Sequence, residues 1–510
     1  MLAALAVVAV IFASARASLS SDPQALARIG MPLGGGTTEQ VSLVTGPHST
    51  PIAVVVRHDR VYPQGTILAG ERVSLQVVVK RPGWIAWLGG GRRRLSLDLT
   101  TPTASLRSHY ITLPRHDPLR LHFKAPIEVY ASGAHANGLT RHVLARPTDV
   151  ITLPRGSEAG SVFLAAAPRR WESAAPRMVS WFPAGGSASA VTSPAPGAHI
   201  KPTTKITVSF SKPVGTVLGS HRPVLTPATP GHWRTLTGHA IQFVPTGYGY
   251  GLGAKVSIGV PAGVRLVGAP PGPGPEWTVP DGSIVRLQQI LAIMGYLPLK
   301  FHYARHAPGR SAAAQEDAAV KAPAGRFTWR YPNTPAWLKG MWRVGASGVM
   351  MQGALMAFER DHGLTTDGVT SPVVWNALIA ALVAGKHSTS GYTLADVDEN
   401  SQTLNLWHDG KVVITTPVNT GAAGTPTSQG IFTVKEHLVT TTMSGTNPDG
   451  SHYSDPDIPY VSYFNGGDAL HGFTRAEYGS PQSLGCVEMP IATAGRVFPY
   501  TPVGTLVHVA

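Results

Sequence analysis

Cysteine is almost absent from this chain: Cys486, in the stretch SPQSLGCVEMP, is the only one in 510 residues. A single cysteine excludes an intrachain disulfide framework and a zinc site built from paired cysteines. In an exported protein, an odd cysteine indicates either pairing with another molecule or a reactive thiol. Elsewhere a lone cysteine is more often an inert core residue. Only the residues around Cys486 can distinguish between these alternatives.

Charged residues are also scarce, at 14% of the chain. The 42 Lys and Arg residues outnumber the 28 Asp and Glu residues. The resulting net charge of +14 implies an anionic partner, such as a wall polymer, a membrane surface or nucleic acid. The sequence has no zinc-finger spacing, no phosphate-binding glycine loop and no long basic helix. We therefore expect an anionic wall polymer or a membrane surface rather than nucleic acid.

Long apolar runs are missing as well. The longest, at residues 2–13 of MLAALAVVAVIFASARAS, is shorter than the roughly 20 residues that a bilayer crossing needs. Small residues at 13–17 fit a signal-peptidase site, although a basic segment before the run is lacking. The alternative is a buried strand or helix. We expect residues 1–18 to be a signal peptide or membrane anchor, and hence an extracytoplasmic protein, either secreted or anchored.

Glycine and proline, by contrast, are plentiful at 56 and 44 residues, which favours short strands and turns. Alternation of apolar residues, as in Val73, Leu75, Val77 and Val79, predicts a β-sandwich over 41–150. An Ala-, Pro-, Gly- and Ser-rich stretch predicts a linker over 151–192. Further alternating runs predict an immunoglobulin-like domain over 193–276. The chain is thus expected to be multidomain and mainly β.

Residues 280–385 change to a helical period. Ile284, Leu287, Leu291 and Met294 lie three or four apart, and two similar stripes follow near 351–358 and 375–382. Asp281 and Ser283 are candidate helix caps, and Pro372 is suited to the first turn of a helix. The pattern predicts a small three-helix bundle. An insertion at about 301–345 carries FTWRYPNTPAWL, whose aromatic rings either stack on sugars or pack into the bundle.

Strand patterns return over 390–510, where His408-Asp409-Gly410 offers a hairpin turn between two alternating runs. Within this region His471 stands fifteen positions before Cys486. A cysteine nucleophile needs a base or cation beside it to form the thiolate, and His471 could supply that base. Gly485 allows a close backbone approach and could present amides to an oxyanion. Spacing alone is a weak signal, because twenty histidines make a chance neighbour common, and it favours an inert thiol.

The segments GTPTSQGIF, DALHGF and GSPQSLGCVEM resemble, in that order, the motifs of the YkuD-type L,D-transpeptidase catalytic domain. The resemblance covers about 120 residues and implies a β-rich fold with Cys486 as nucleophile, His471 as base and the Gly472 carbonyl orienting the imidazole. It also implies that Ser483 and Gly485 complete the site around Cys486, and that no metal or cofactor takes part. Tyr463, Thr425, Glu488 and Arg475 are candidate substrate-binding residues.

The helical region is similar to a second family, the three-helix peptidoglycan-binding domain, in IVRLQQILAIMGYL, QGALMAFERDHGL and TTDGVTSPVVWNAL. Both resemblances imply the same partner, the stem peptides and glycan of peptidoglycan. The implied activity is formation of 3→3 cross-links through a cysteine thioester with release of D-alanine. An L,D-carboxypeptidase that uses the same thioester, and a non-catalytic wall-binding protein, remain as alternatives.

Two residues depart from the transpeptidase motif. Leu484 stands where the family has histidine, and Glu488 stands where it has arginine or asparagine. A carboxylate at 488 tends to raise the pKa of the thiol and to repel an anionic stem, unless Arg475 or Arg496 pairs with it. The departures leave the donor and acceptor specificity open.

Overall fold

The computed structural model describes residues 16–32, 36–83, 86, 90–267 and 276–510, and it is mainly β, as the sequence predicts. The expected signal peptide or anchor falls largely on residues 1–15, outside the described part. Every helix within the described ranges falls short of the length and apolar character that a membrane crossing requires.

The N-terminal part contains two facing sheets whose alternating apolar residues form one core, including Ile29, Leu43, Val61 and Leu75. One sheet has the order β1-β2-β6-β5 and the other β4-β3-β8-β9. The strands are β1 Ser18–Ser21, β2 Ala27–Gly30, β3 Thr37–Thr45, β4 Thr50–Ile52, β5 Val54–Arg57, β6 Arg60–Pro63, β7 Ile67–Leu68, β8 Arg72–Lys80 and β9 Arg92–Thr100.

Residues 151–183 of the predicted linker (151–192) instead contribute strands to a second β unit, and residues 188–192 lie in a strand of the next sheet. The five-stranded sheet of the second β unit has the order β10-β15-β13-β11-β12, and β14 pairs with β7. Composition does not distinguish a linker from these strands, because Ala and Ser also occur in tightly packed strands. Residues 164–167, for example, are buried. The predicted sandwich over 41–150 therefore spans two sheet systems. The strands are β10 Tyr110–Leu113, β11 Leu119–Gly133, β12 Thr140–Leu153, β13 Gly160–Ala167, β14 Glu172–Ser173 and β15 Arg177–Pro183.

Two further sheets, β19-β20-β17-β16-β22 and β18-β21-β23, cover the region predicted to be immunoglobulin-like. They enclose Phe210, Ile241, Val256 and Trp277. The elements are β16 Ala188–Ser193, β17 Ile206–Phe210, α1 Val214–Leu218, β18 Val224–Thr226, β19 Gly231–Thr237, β20 Ala240–Pro245, β21 Lys255–Gly259, β22 Val264–Leu266 and β23 Glu276–Thr278.

The helical region contains the three expected helices together with elements that the insertion adds. Ser283 caps the first helix by accepting a hydrogen bond from the Arg286 amide at 3.1 Å, and Pro372 opens the last. The elements are α2 Ile284–Ile293, β24 Leu299–Tyr303, α3 Ala312–Val320, β25 Gly325–Trp329, α4 Ala336–Met341, α5 Val349–Asp361 and α6 Pro372–Val383. Its relation to peptidoglycan-binding domains stays a prediction.

Aromatic residues of the insertion pack against the C-terminal region. The Trp337 ring stacks on His508 with centroids 4.3 Å apart, and Tyr331 meets Trp407 edge-on at 5.3 Å. Of the two alternatives for these rings, packing is the one observed for both. The same contacts fasten the helical region to the C-terminal sheet.

The C-terminal region has two sheets, β28-β27-β26-β34-β29 and β30-β31-β32-β33, around a core that includes Leu404, Phe464 and Val487. The predicted hairpin turn at Asp409 and Gly410 is confirmed, since both residues have positive φ. The elements are β26 Thr393–Asp398, β27 Thr403–His408, β28 Lys411–Pro417, β29 Gly430–Thr433, β30 Glu436–Thr446, β31 His452–Asn465, β32 Asp468–Gly472, β33 Val487–Met489, α7 Ile491–Val497, a 3₁₀ turn Phe498–Tyr500 and β34 Leu506–Val509.

Candidate active site

The fold brings His471 and Cys486 onto neighbouring strands. β32 and β33 pair in parallel with His471 opposite Glu488, and Cys486 directly precedes β33. Adjacent strands lie about 4.8 Å apart, and side chains two residues apart point to the same face. The Glu488 carboxylate acts electrostatically on both the imidazole and the thiol. The three groups therefore share one neighbourhood.

The imidazole of His471 is held in one orientation. Its Nδ1 lies 3.0 Å from the Gly472 carbonyl oxygen, so in the neutral ring Nδ1 carries the proton and Nε2 is the basic nitrogen. Burial, with 3% of the side chain exposed, lowers the pKa of His471. Gly472 is needed here because a Cβ would lie 3.1 Å from Ala494 and Ile491 of α7. The histidine is thus a neutral, oriented base.

The thiol of Cys486 lies half-buried against the turn that precedes β32. Its Sγ is 3.5 Å from the Gly467 carbonyl oxygen and receives a hydrogen bond from the Ala469 amide. Burial is the main cause that raises the pKa of the thiol to about 12, and the Asp468 and Glu488 carboxylates add to it. The resting group is therefore a neutral thiol that needs a base at the moment of attack.

The loop that carries Cys486 is fixed by its own hydrogen bonds. Ser483 Oγ donates to the Cys486 carbonyl at 2.6 Å and accepts from the Gly485 amide at 3.1 Å. Gly485 has φ +119°, and a Cβ there would lie 2.8 Å from Asp468 Oδ1. The glycine is required, but its amide is already engaged, which corrects the expectation that this amide faces an oxyanion.

Thr425 and Asn419 support the same loop. Thr425 Oγ1 donates to the Ser483 carbonyl at 3.0 Å, so it acts on the loop rather than on substrate. The fully buried Asn419 accepts from the Gly479 and Ser480 amides and donates to the Glu477 carbonyl. Asn419 was missed in the sequence because a single buried amide carries no pattern.

Arg475 forms an ion pair with Glu488. It is one of the two partners, Arg475 or Arg496, that the sequence suggests. Nε and Nη2 of Arg475 each donate to one carboxylate oxygen at 2.8 Å, a bidentate geometry. Glu488 is only 4% exposed, and Arg475 also lies over the Phe473 ring at 4.6 Å. Since both Glu488 oxygens are occupied, the expectation that Glu488 contacts substrate is not supported. Arg496 is not part of this pair.

Two tyrosines of β31 face the thiol. Burial raises the pKa of Tyr453 and of Tyr463, and proximity to Cys486 raises both further. Tyr463 lies opposite Ala469 of β32, whereas Tyr453 comes from the far end of the β30–β31 hairpin. Tyr463 was a candidate from the sequence. Tyr453 was not, because 33 residues separate it from Cys486 and only the hairpin brings it back.

An apolar wall closes one side of the site. Met443, Tyr463 and Phe473 pack with Cys486 against the buried cluster of Ile458, Val461 and Ala469. Within the described ranges, no group of three or more His, Cys, Asp or Glu side chains is placed to hold a metal ion. The chemistry that this arrangement can support is nucleophilic attack by a thiol, assisted by a neutral imidazole in a partly dry pocket.

Residues 392–509 match the family model of the L,D-transpeptidase catalytic domain, YkuD. The catalytic domain of an Enterococcus faecium L,D-transpeptidase is 30% identical over 24% of this chain and 100% of its own length, with a TM-score of 0.22. Through its C-terminal domain the chain belongs to the L,D-transpeptidase family, which acts on peptidoglycan.

Two longer solved structures also align. An L,D-transpeptidase from Mycobacterium smegmatis is 13% identical over 64% of this chain and 100% of its own, with a TM-score of 0.22. An L,D-transpeptidase from Mycobacterium tuberculosis is 12% identical over 62% of this chain and 96% of its own, with a TM-score of 0.21. A comparison with curated proteins finds no significant match.

Proposed function

We propose that this protein is an extracytoplasmic peptidoglycan L,D-transpeptidase that forms 3→3 cross-links through a thioester on Cys486. The observation that carries the proposal is the pairing of β32 with β33. In that pairing Glu488 lies opposite His471 and two residues from Cys486, and the Nδ1 of His471 lies 3.0 Å from the Gly472 carbonyl oxygen. That bond leaves Nε2 as the base, the arrangement that an activated cysteine requires.

In the first half-reaction, Cys486 Sγ attacks the carbonyl of the third residue of a donor tetrapeptide stem. His471 Nε2 takes the thiol proton as the C–S bond forms. The Cys486 amide, rather than that of Gly485, stabilises the oxyanion of the tetrahedral intermediate. Collapse of the intermediate breaks the bond to the terminal D-alanine, whose amine leaves with the proton from His471. A thioester remains on Cys486.

In the second half-reaction, the side-chain amine of an acceptor stem attacks the thioester. His471 takes a proton from this amine and returns it to the sulfur as the C–S bond breaks. The product is an amide cross-link between two stems, and the thiol is regenerated. Water in place of the amine gives carboxypeptidase activity by the same route, so access of the acceptor decides the outcome.

The electrostatics of the site favour attack from a neutral pair. Burial keeps the thiol protonated and the imidazole unprotonated in the resting site, so no ion pair has to be desolvated before substrate arrives. Arg475 neutralises Glu488, which removes most of the repulsion that a bare carboxylate would exert on an anionic stem. Tyr453 and Tyr463 lie within electrostatic reach of the thiol.

Mixing a purified donor tetrapeptide stem with an acceptor stem tests this proposal. We expect mass spectrometry to show a cross-linked dimer and free D-alanine with the wild-type chain and neither with Cys486→Ala. D-alanine released without dimer would contradict transpeptidation and support the carboxypeptidase. No turnover, together with retention on purified wall sacculi, would contradict both and support the non-catalytic binding protein.

A further inference from the structure

The basic excess of this protein is concentrated at its N-terminal end. Residues 1–183 hold 20 of the 42 Lys and Arg but only 10 of the 28 Asp and Glu, a net charge of +10. Residues 184–510, which include the candidate active site, hold 22 basic and 18 acidic residues, a net charge of +4. Charge that served only solubility would not need to be segregated in this way.

Part of this charge is displayed on one face of the second β unit. Along β11, Leu119, Leu121 and Phe123 point into the core, and the intervening Arg120, His122 and Lys124 are exposed on the opposite face. Same-face residues of a strand repeat every 6 to 7 Å or so, which gives a regular row of basic groups.

A neighbouring segment adds a fourth basic side chain to this row. Leu106 pairs with Phe123, and the Arg107 amide donates to the His122 carbonyl at 2.8 Å. Arg107 therefore lies beside His122 on the exposed face, with its Nε donating to the Phe123 carbonyl at 3.2 Å. We name Arg107, Arg120, His122 and Lys124 the β11 basic face.

No salt bridge found among the described residues involves the β11 basic face; the ion pairs in this part of the chain, such as Arg115 with Glu158, use other side chains. Arg107, Arg120 and Lys124 carry positive charge, and like charges on neighbouring positions of a sheet repel one another. The array would be stabilised by a ligand that brings several negative charges at a similar spacing.

The surroundings of the β11 basic face favour a polymer over a bilayer. On the other flank, β12 places Val150 opposite His122 and Thr152 opposite Arg120, and Ser105 lies beside Lys124. Val150 is the one apolar side chain among these and is half-buried, so it is not an exposed apolar anchor of the kind that enters the acyl boundary of a membrane. Apart from Val150 these neighbours are polar, which suits a linear soluble polyanion.

From these observations we propose that the β11 basic face binds a phosphodiester polymer of the cell envelope, of the poly(glycerol phosphate) class. The contact is electrostatic and lies on a different β unit from Cys486, so it holds the enzyme in the envelope without taking part in the chemistry. The inference rests on the extracytoplasmic location in the proposed function, but not on the transpeptidase chemistry.

The test measures binding of the full-length chain to purified poly(glycerol phosphate) at several salt concentrations. We expect binding that weakens steeply with salt, because bound counterions are released from the polymer. Arg120→Glu/Lys124→Glu should weaken binding by about tenfold or more, since each cation near an anionic surface contributes appreciably. Both side chains are exposed, so the substitution should leave the fold intact.

The matched control is Lys255→Glu/Arg265→Glu, which changes the net charge equally at exposed strand positions elsewhere. It should bind like the wild type, and Cys486→Ala should bind unchanged. Equal losses in both charge variants, or no loss in either, would overturn the proposal. So would an absence of polymer binding, or binding to phosphatidylglycerol vesicles but not to the polymer. Uncharged dextran serves as the negative ligand.

Discussion

The thiol and the imidazole at the centre of this site are each perturbed in the direction that keeps them neutral. Burial raises the pKa of Cys486 and lowers the pKa of His471, so the resting site holds a neutral thiol and a neutral imidazole. A permanently ionised cysteine would be more open to oxidation. A neutral thiol is protected from it.

Substitution of Glu488 tests what sets the pKa of the Cys486 thiol. Its carboxylate is one of the causes that raise the pKa of Cys486. Glu488→Gln keeps the shape of the side chain and one hydrogen bond from Arg475, but it removes the negative charge. We expect the thiol pKa to fall and the rate of alkylation by iodoacetamide at pH 8 to rise roughly two- to fivefold.

Glu477→Gln is the control for that substitution, because Glu477 is exposed and is not among the causes of the Cys486 shift. It should alkylate like the wild type. An unchanged or slower rate in Glu488→Gln, in protein with a native melting profile, would mean that Glu488 does not control the thiol.

Sequence motifs name the residues that we propose for the chemistry but not those that support them. Cys486 and His471 fall in short, ordered motifs, and the pairing of Glu488 with Arg475 could be named as one alternative from charge alone. The contacts of Thr425 and of the Gly485 amide could not be predicted in this way. Each makes a hydrogen bond with Ser483 that only the folded loop provides.

The elements around the site show which features local patterns can predict. Alternation predicts that a segment is a strand, and Asp409-Gly410 predicts a two-residue hairpin turn, because both follow from nearby residues. Which strands join which sheet depends on distant partners. The linker predicted over 151–192 rests on composition, which Ala- and Ser-rich strands share. The long β30–β31 hairpin likewise brings Tyr453 to Cys486 from afar.

Helix α5 docks on the catalytic domain through a contact between backbones. A Cβ on Gly353 would lie 2.6 Å from the Gly504 carbonyl oxygen, next to β34. We expect Gly353→Ala to destabilise the protein by about 1–3 kcal/mol, because the two backbones must separate to admit the methyl group. This net figure already allows for the better helix propensity of alanine. Thermal unfolding of the full chain measures this loss.

Gly340→Ala is the matched substitution, because Gly340 lies in α4 and a Cβ there would meet nothing within 4 Å. It should be neutral or stabilising by up to about 1 kcal/mol. If both variants melted alike, the α5 contact would not contribute to stability, and the helical region would be free to move relative to the catalytic domain.

Three parts of the molecule share one hydrophobic core. It runs from Phe210 and Trp277 in the immunoglobulin-like region, through Leu291 and Phe358 in the helices, to Leu506 in the catalytic domain. Composition predicted separate modules but not this continuity, which depends on how their surfaces fit together. A continuous core implies that the catalytic domain is held rigidly against its neighbours rather than on a flexible tether.

Buried carboxyl groups make the stability of the molecule depend on pH. Burial raises the pKa of Glu172, Glu316 and Glu359 to about 7, above the ordinary value of 4.5. The folded state therefore holds protons that the unfolded state releases. This contribution is complete below about pH 4.5 and is lost as the pH rises through 7.

We therefore expect the melting temperature to fall between pH 6.5 and 8. In this window His437, whose pKa burial lowers to about 4, is neutral in the folded state and loses its remaining proton only in the unfolded state, near 6.5, so it offsets the fall slightly at the lower end. Glu172→Gln/Glu316→Gln/Glu359→Gln should flatten the dependence, whereas the exposed set Glu276→Gln/Glu436→Gln/Glu477→Gln should not. A wild-type melting temperature that rises or stays level over this range would contradict the raised pKa values.

The proposed activation of Cys486 by His471 is tested most directly by the rate at which ertapenem acylates Cys486, followed by intact mass. The wild type should gain a single adduct, Cys486→Ala should gain none, and His471→Gln should react about a hundredfold more slowly or worse, because the base is lost. His302→Gln, an exposed histidine in another region, should react normally. A wild type that stays unmodified, or a His471→Gln chain that reacts as fast as the wild type, would contradict activation of this thiol by His471.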